Sequence, residues 1–149
     1  MRSLIAIAAL VASCFAGAEP PEGVVIVCSY PQYPHIPYGY EFRDGQVIDY
    51  SIVYNEGGTE AFVAERFGRS SVLPATYVAT VDSIYWGEDR RYWLNRKTLV
   101  LEVRSETGEV LLTQNCEVVA SVGAMKAFLE GARQMLQKEI DDQMTGNKI

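Results

Sequence analysis

The stretch Val24-Val25-Ile26-Val27-Cys28 decides the fold of this chain. Five apolar residues in a row, most of them branched at Cβ, predict a β-strand that is buried on both of its faces. The strand ends at a cysteine, and a second cysteine stands far along the chain at Cys116. A bridge between the two would staple the first predicted strand of the sheet to the last.

Residues 1–18 have the features of an export signal. The basic residue Arg2 precedes an apolar run, and small residues at 16–18 form a cleavage site. Removing this segment takes away Cys14 and leaves Cys28 and Cys116, an even number in an oxidising compartment where thiols pair. These two lack the C-x-x-C spacing of a redox pair, so a structural disulfide is predicted. We expect a secreted or periplasmic protein whose single globular domain spans residues 19–149.

The export signal has an alternative interpretation. Val11-Ala12-Ser13-Cys14 also resembles a bacterial lipobox, in which the cysteine is lipidated and becomes the mature N-terminus. In that case Cys14 is kept, and its lipid anchors the protein to the envelope. The two interpretations predict different masses for the exported protein.

Charge and hydropathy exclude two classes of partner. The chain has 149 residues and a formal net charge of −6. That charge repels phosphate backbones, so nucleic acid is not an expected partner. After the export signal, no apolar run reaches the roughly 18 residues that a membrane-spanning helix needs. No membrane span is therefore expected.

Apolar and polar residues alternate through most of the chain before Cys116. After the first strand, this pattern predicts strands around residues 48–54, 77–81, 92–94, 99–103 and 110–116. Gly108 lies between the last two, where a hairpin loop requires a positive φ. Residues 59–67 fit a short helix or a strand, and the strand is slightly favoured.

In the last part of the chain the apolar spacing changes to steps of three and four, which predicts an amphipathic helix over about 121–144 with Ser121 as its N-cap. Lys126 with Glu130, and Lys138 with Asp142, are spaced to pair on its solvent face. Its apolar stripe contains Val122, Met125, Leu129, Ala132, Leu136 and Ile140, widened by Phe128 and Met135. The expected fold class is α+β: a mainly antiparallel, meandering sheet over about 24–119 that can curl into a barrel, one C-terminal helix and one disulfide.

A tyrosine- and proline-rich segment at residues 30–40 is the first candidate binding site. Rigid aromatic side chains on a backbone stiffened by prolines offer a large contact area at low entropic cost. The alternative is a lid that closes one end of the sheet. The candidate binding-loop residues are Tyr30, Tyr33, His35, Tyr38 and Tyr40.

A basic and aromatic segment at residues 90–97 is the second candidate. It could recognise an anionic or glycan surface by charge and by stacking. The alternative is an ordinary strand with aromatic side chains inward and charged ones in solvent. The residues are Arg90, Arg91, Tyr92, Trp93, Arg96 and Lys97.

Catalytic constellations are not recognisable in this sequence. His35 is the only histidine and has no acidic neighbour to orient its ring, and neither a metal site nor a cofactor motif is found. We therefore expect an exported, non-catalytic binding protein whose partner is a protein or a glycan. The alternatives are a hydrolase-type enzyme using carboxylates assembled by the fold, such as Glu88 with Asp89 or Asp141 with Asp142, and an assembly subunit that pairs through the C-terminal helix.

Overall fold

The structure is a computed structural model that describes residues 19–66 and 75–146, except the side chain of Arg66. The predicted export signal with Cys14 lies outside the described residues, and so does Phe67. Within the described ranges, nine strands precede one long helix. These elements are β1 (Val25–Tyr30), β2 (Tyr33–Arg43), β3 (Gln46–Tyr54), β4 (Ala61–Arg66), β5 (Ala75–Ala79), β6 (Ser83–Trp86), β7 (Tyr92–Asn95), β8 (Val100–Arg104), β9 (Val110–Val119) and α1 (Val122–Gly146).

Eight of these strands close into an antiparallel barrel. The ring runs β1, β2, β3, β5, β6, β7, β8, β9, and β9 returns to pair with β1. β4 lies outside the ring, because it pairs with the later residues of β3 while β5 pairs with the first two. A ring of eight strands encloses a space that side chains can just fill. The predicted antiparallel, barrel-like sheet with a C-terminal helix is confirmed.

The disulfide lies where the barrel closes. Cys28 of β1 stands directly opposite Cys116 of β9, and the two sulfurs are bonded, which confirms the predicted bridge. The two cysteines are 88 positions apart in the sequence. The disulfide therefore joins the two paired strands that are furthest apart in sequence.

The barrel interior is packed with apolar and aromatic side chains through most of its length. The indole ring of Trp86 stacks on Tyr92, with centroids 5.5 Å apart, and meets the rings of Phe42 and Tyr40 edge-on. The buried interior residues are Ile26, Cys28, Tyr40, Phe42, Val47, Ile84, Trp86, Leu94 and Leu101. A ligand can therefore enter only at an end of the barrel.

Helix α1 packs against the outside of the barrel, across β1 to β4. Met125 and Leu129 are fully buried and pack with Val25 and Val27, the outward-facing residues of β1. Since the residues between them face the interior, β1 is buried on both faces, as its unbroken apolar sequence predicts. The Ile48 and Tyr50 side of β3 faces the helix rather than the interior.

Gly39 of β2 lets the helix approach the barrel. A Cβ atom at this position would lie 2.2 Å from Sδ of Met125, far inside van der Waals contact. The position therefore tolerates a glycine and little else while Met125 stays in place.

Most local predictions are confirmed. The predicted strand at residues 59–67 is β4, Ala61–Arg66, with the outcome for Phe67 outside the described residues. Gly108 has a φ of 85° in the β8–β9 turn. Ser121 caps α1, since the backbone N–H of Ala124 donates to its Oγ at 3.1 Å.

One of the two predicted ion pairs on α1 forms. Lys138 contacts Asp142 at 2.6 Å, as predicted. The pairing of Lys126 with Glu130 was wrong, because Arg133 donates to both carboxylate oxygens of Glu130. A planar guanidinium offers that bidentate geometry and an ammonium does not. Lys126 instead lies over an aromatic ring of β3.

The segment that precedes β1 closes one end of the barrel. Pro21 is buried, and the carboxylate of Glu22 accepts hydrogen bonds from the backbone N–H groups of Asp44 and Gly45, each at 2.8 Å. The hydroxyl of Tyr77 donates to the same carboxylate. We call this the closed end; β1 runs from it towards the opposite end, the mouth.

Candidate functional site

The mouth contains a small cavity between strands that come from all parts of the sequence. Its volume is about 110 Å³. The side chains around it are aromatic and polar, and they include Tyr38, Tyr40, Asp49, Arg91, Tyr92 and Gln114. Because the interior below is filled, the cavity is a shallow chamber rather than a deep container.

An apolar groove continues outward from this chamber. The groove has a volume of about 470 Å³, and its lining residues are Tyr30, Gln32, Tyr33, Ile36, Tyr38 and Leu112. Tyr30, Tyr38 and Leu112 line both spaces, so the groove and the chamber adjoin each other. We call this surface the rim groove and the chamber the mouth cavity.

The tyrosine segment lies at this site, but the prediction that it forms a loop was wrong. Only a short turn separates β1 from β2, and the segment continues as strand from Tyr33 onward. The prolines are compatible with a strand because Pro34 lies where the β1–β2 register shifts, Pro37 pairs with β1 alone, and β3 joins only from Tyr38. A strand edge without a partner needs no N–H donor, which is what proline lacks.

The members of the tyrosine segment take three different positions. Tyr33 and His35 are exposed at the rim, with ring centroids 6.4 Å apart. Tyr30 and Tyr38 are half-buried and meet edge-to-face at 5.6 Å, where groove and cavity join. Tyr40 is buried at the base of the cavity.

The hydroxyl of Tyr40 is buried at the base of the mouth cavity. Burial raises the pKa of its hydroxyl well above the usual value, and the charge of Asp49 raises it further. The hydroxyl faces the side-chain oxygen of Gln114 at 3.5 Å, the outer limit of a hydrogen bond. The base of the mouth cavity is therefore polar.

Exposed aliphatic side chains border the mouth on β9. Val110, Leu111 and Leu112 are each about half exposed, at 45, 52 and 48%. Leu112 lines the rim groove and Leu111 lines the mouth cavity. Together with Tyr33, they place large apolar side chains in solvent at one end of the barrel.

The basic and aromatic segment does not form one surface. Tyr92 points into the barrel, whereas Trp93 points outward and stacks on Tyr85 with centroids 4.9 Å apart. Arg90 covers the ring of Tyr85, and Arg104 covers Trp93 at 4.3 Å. Because the side chains of a strand alternate between its two faces, Tyr92 and Trp93 lie on opposite sides of β7. Arginine side chains already cover the two outer rings, Tyr85 and Trp93.

The other basic residues of this segment lie at different ends of the barrel. Arg91 lines the mouth cavity. Arg96 donates to the backbone oxygens of Thr80 and Glu19, and Lys97 pairs with Asp82 at 2.7 Å, all at the closed end.

The carboxylates considered for catalysis are in solvent. Glu88 and Asp89 share an open groove of about 410 Å³ with Glu106, and all three are exposed. Asp141 and Asp142 are exposed on α1. Among the residues that line the mouth cavity, Asp49 is the only acidic one.

Several cavity residues were missed from the sequence, among them three with polar side chains on the inward side of a strand: Asp49, Ser51 and Gln114. Each stands on the inward side of its strand, next to apolar inward residues such as Val47 and Cys116. A polar residue in the buried phase of an alternating strand is the signal that could have found them. This signal can be used only when it is known which face of the strand points into the barrel. On β3 the more apolar face packs against the helix instead of the interior.

In the described part of the chain, three or more His, Cys, Asp or Glu residues do not come together in a way that could hold a metal ion. Nor does any helix within residues 19–66 and 75–146 combine the length and apolarity that crossing a membrane requires. No family model, curated protein or solved structure matches this chain.

Proposed function

We propose that this chain is an exported, disulfide-stabilised, non-catalytic binding protein that holds a partner protein at the mouth of its barrel. The rim groove makes the apolar contact, and the mouth cavity receives one side chain of the partner. The predicted export signal and the Cys28–Cys116 bridge support action outside the cytosol.

The exposed apolar surface at the mouth is the observation that carries this proposal. Tyr33, Leu111 and Leu112 are 57, 52 and 48% exposed and border two adjoining concave spaces. Clustered apolar side chains around a concave site are typical of protein contact surfaces. The tyrosines of the rim groove suit a protein or a glycan, and the exposed aliphatic side chains of Leu111 and Leu112 beside them favour a protein.

A capture experiment with matched variants tests the proposal. The oxidised, exported protein is immobilised and exposed to the extracytoplasmic fraction of its native source. We expect a specific protein to be retained, and to be lost when Tyr33→Ser and Leu112→Ser are combined. The matched control is Phe128→Ser on α1, which removes a side chain of similar exposure, 50%, that lines neither the rim groove nor the mouth cavity.

The same variants discriminate the assembly alternative. Phe128 and Met135 are exposed on α1, at 50 and 58%, although the apolar stripe predicted them as part of its buried side. If Phe128→Ser abolishes capture and the rim variant does not, the partner binds the helix and the proposal is wrong. Turnover of a small substrate together with an absence of capture would favour the enzyme.

A further inference from the structure

The walls of the mouth cavity are tyrosine rings set at steep angles to one another. The rings of Tyr30 and Tyr38 are inclined at 82°, and those of Tyr40 and Tyr92 at 54° with centroids 6.4 Å apart. The face of an aromatic ring carries negative charge density and attracts cations. Tyr30, Tyr38, Tyr40 and Tyr92 thus place aromatic surface in different orientations around the cavity.

A carboxylate stands among these rings. Asp49 lies on the inward side of β3, between Val47 in the packed interior and Ser51 nearer the mouth. Its charge acts on Tyr40 at the base of the cavity. Asp49, Tyr38 and Tyr92 also interact with neighbouring groups in this structure, so a ligand would join an existing polar network.

The volume of the cavity restricts what can enter. A water molecule occupies about 30 Å³ of liquid, so 110 Å³ accommodates a group about the size of four waters. That is enough for an ammonium or trimethylammonium head. The rim groove, which shares Tyr30, Tyr38 and Leu112 with the cavity, accepts the apolar part attached to it.

We propose that the mouth cavity binds an alkylammonium cation, held between the tyrosine rings and the carboxylate of Asp49. The cation is the head of a free organic amine or the end of a lysine side chain on the partner. This inference rests on the proposed function only in using the mouth as the binding end.

Arg91 makes the proposal sharply testable. Its exposed side chain lines the mouth cavity and also the groove that contains Glu88, Asp89 and Glu106. A guanidinium at the entrance repels a cation and attracts an anion. Removing Arg91 should therefore strengthen binding of a cation and weaken binding of an anion.

The two tryptophans supply internal reporters for a titration. Trp86 contacts Tyr40 and Tyr92 of the cavity, whereas Trp93 lies on the outer face beneath Arg104. Choline is titrated against the protein while the indole N–H proton signals are recorded by NMR. The ligand control is the neutral isostere of choline in which carbon replaces nitrogen. We expect choline to shift the Trp86 signal, with Trp93 unchanged and the neutral isostere silent.

Variants then identify the groups that hold the cation. Asp49→Asn should weaken binding about fivefold or more, whereas Asp82→Asn at the closed end should have no effect. Arg91→Gln should strengthen binding about two- to fivefold. Arg91→Gln and the isostere comparison keep the test valid if Asp49→Asn does not fold.

A second ligand, Nα-acetyl-lysine methylamide, distinguishes the two sources of the cation. A response to choline alone assigns the cavity to free organic amines, and a response to the lysine derivative assigns it to a protein side chain; both support the proposal. Equal shifts with the neutral isostere, no shift with either cation, or weaker binding by Arg91→Gln would overturn it. Continued capture of a partner through the rim, despite such a result, would leave the proposed function standing.

Discussion

At the scale of single residues, Glu22 shows how one exposed carboxylate can fasten a chain end. Hydrogen bonds from Tyr77 and from the backbone of Gly45 and Asp44 hold the pKa of this carboxyl below its ordinary value of 4.5. A lowered folded-state pKa stabilises the protein above the unfolded-state value, and this stabilisation disappears as the pH falls through the folded-state pKa. The segment that precedes β1 should therefore be held more firmly at neutral pH than in acid.

Glu22→Gln tests this anchor. We expect the variant to be less stable than the wild type at neutral pH, with the difference shrinking as the pH falls through the lowered pKa of Glu22, because both proteins become uncharged at this position. Urea unfolding at several pH values measures the difference. Glu19→Gln is the matched control, since only the backbone oxygen of Glu19 is bonded. An equal loss of stability at every pH would contradict the ionic anchor.

At the scale of elements, the contact between β2 and α1 requires that Gly39 has no side chain. Gly39→Ala places a Cβ 2.2 Å from Sδ of Met125, so the helix must shift or the methionine must change rotamer. We expect destabilisation of about 1–3 kcal/mol, the usual cost of overpacking. Thermal or urea unfolding measures it.

A double-mutant cycle checks that the cost comes from this contact. Met125→Ala alone should destabilise by about 2–5 kcal/mol by leaving a cavity. Combined with Gly39→Ala, the loss should be smaller than the sum of the two single losses, because the new methyl group then has room. Additive losses would show that Gly39 matters for its own backbone instead.

The elements also show which structural information is local. β1 and α1 could be predicted because their apolar spacing is regular, and β9 because its hairpin has a turn glycine. The beginning of β2 could not, since its prolines are acceptable only where β3 does not pair with it, and that is a property of the sheet. Likewise, the sequence of β3 does not reveal that Asp49 points into a barrel and Tyr50 towards a helix.

At the scale of the whole molecule, the disulfide adds to the free energy of unfolding of the closed barrel. Linking positions 88 residues apart removes freedom from the unfolded chain and is expected to stabilise by about 4–5 kcal/mol. The double variant Cys28→Ala, Cys116→Ala should lose about that amount in urea unfolding. Reduction of the wild type should reproduce the loss, and a reduced protein as stable as the oxidised one would contradict it.

The ring and its cavity are long-range properties. The pair of cysteines indicated which two strands meet, and so the closure of the sheet could be anticipated from sequence. The cavity could not, because Asp49, Arg91 and Gln114 come from parts of the chain distant in sequence and meet around one space only after the ring has closed.

The hydrogen bond from Arg96 to Glu19 and the hydrogen bonds to Glu22 hold the segment that precedes β1 at the closed end of the barrel. A group that is fused ahead of Glu19, such as a purification tag, a resin linker or a lipid, joins the barrel at the closed end. The tyrosine-lined mouth then points away from the support and stays accessible to a partner. An N-terminal attachment is consequently the orientation of choice for displaying this barrel on a sensor surface.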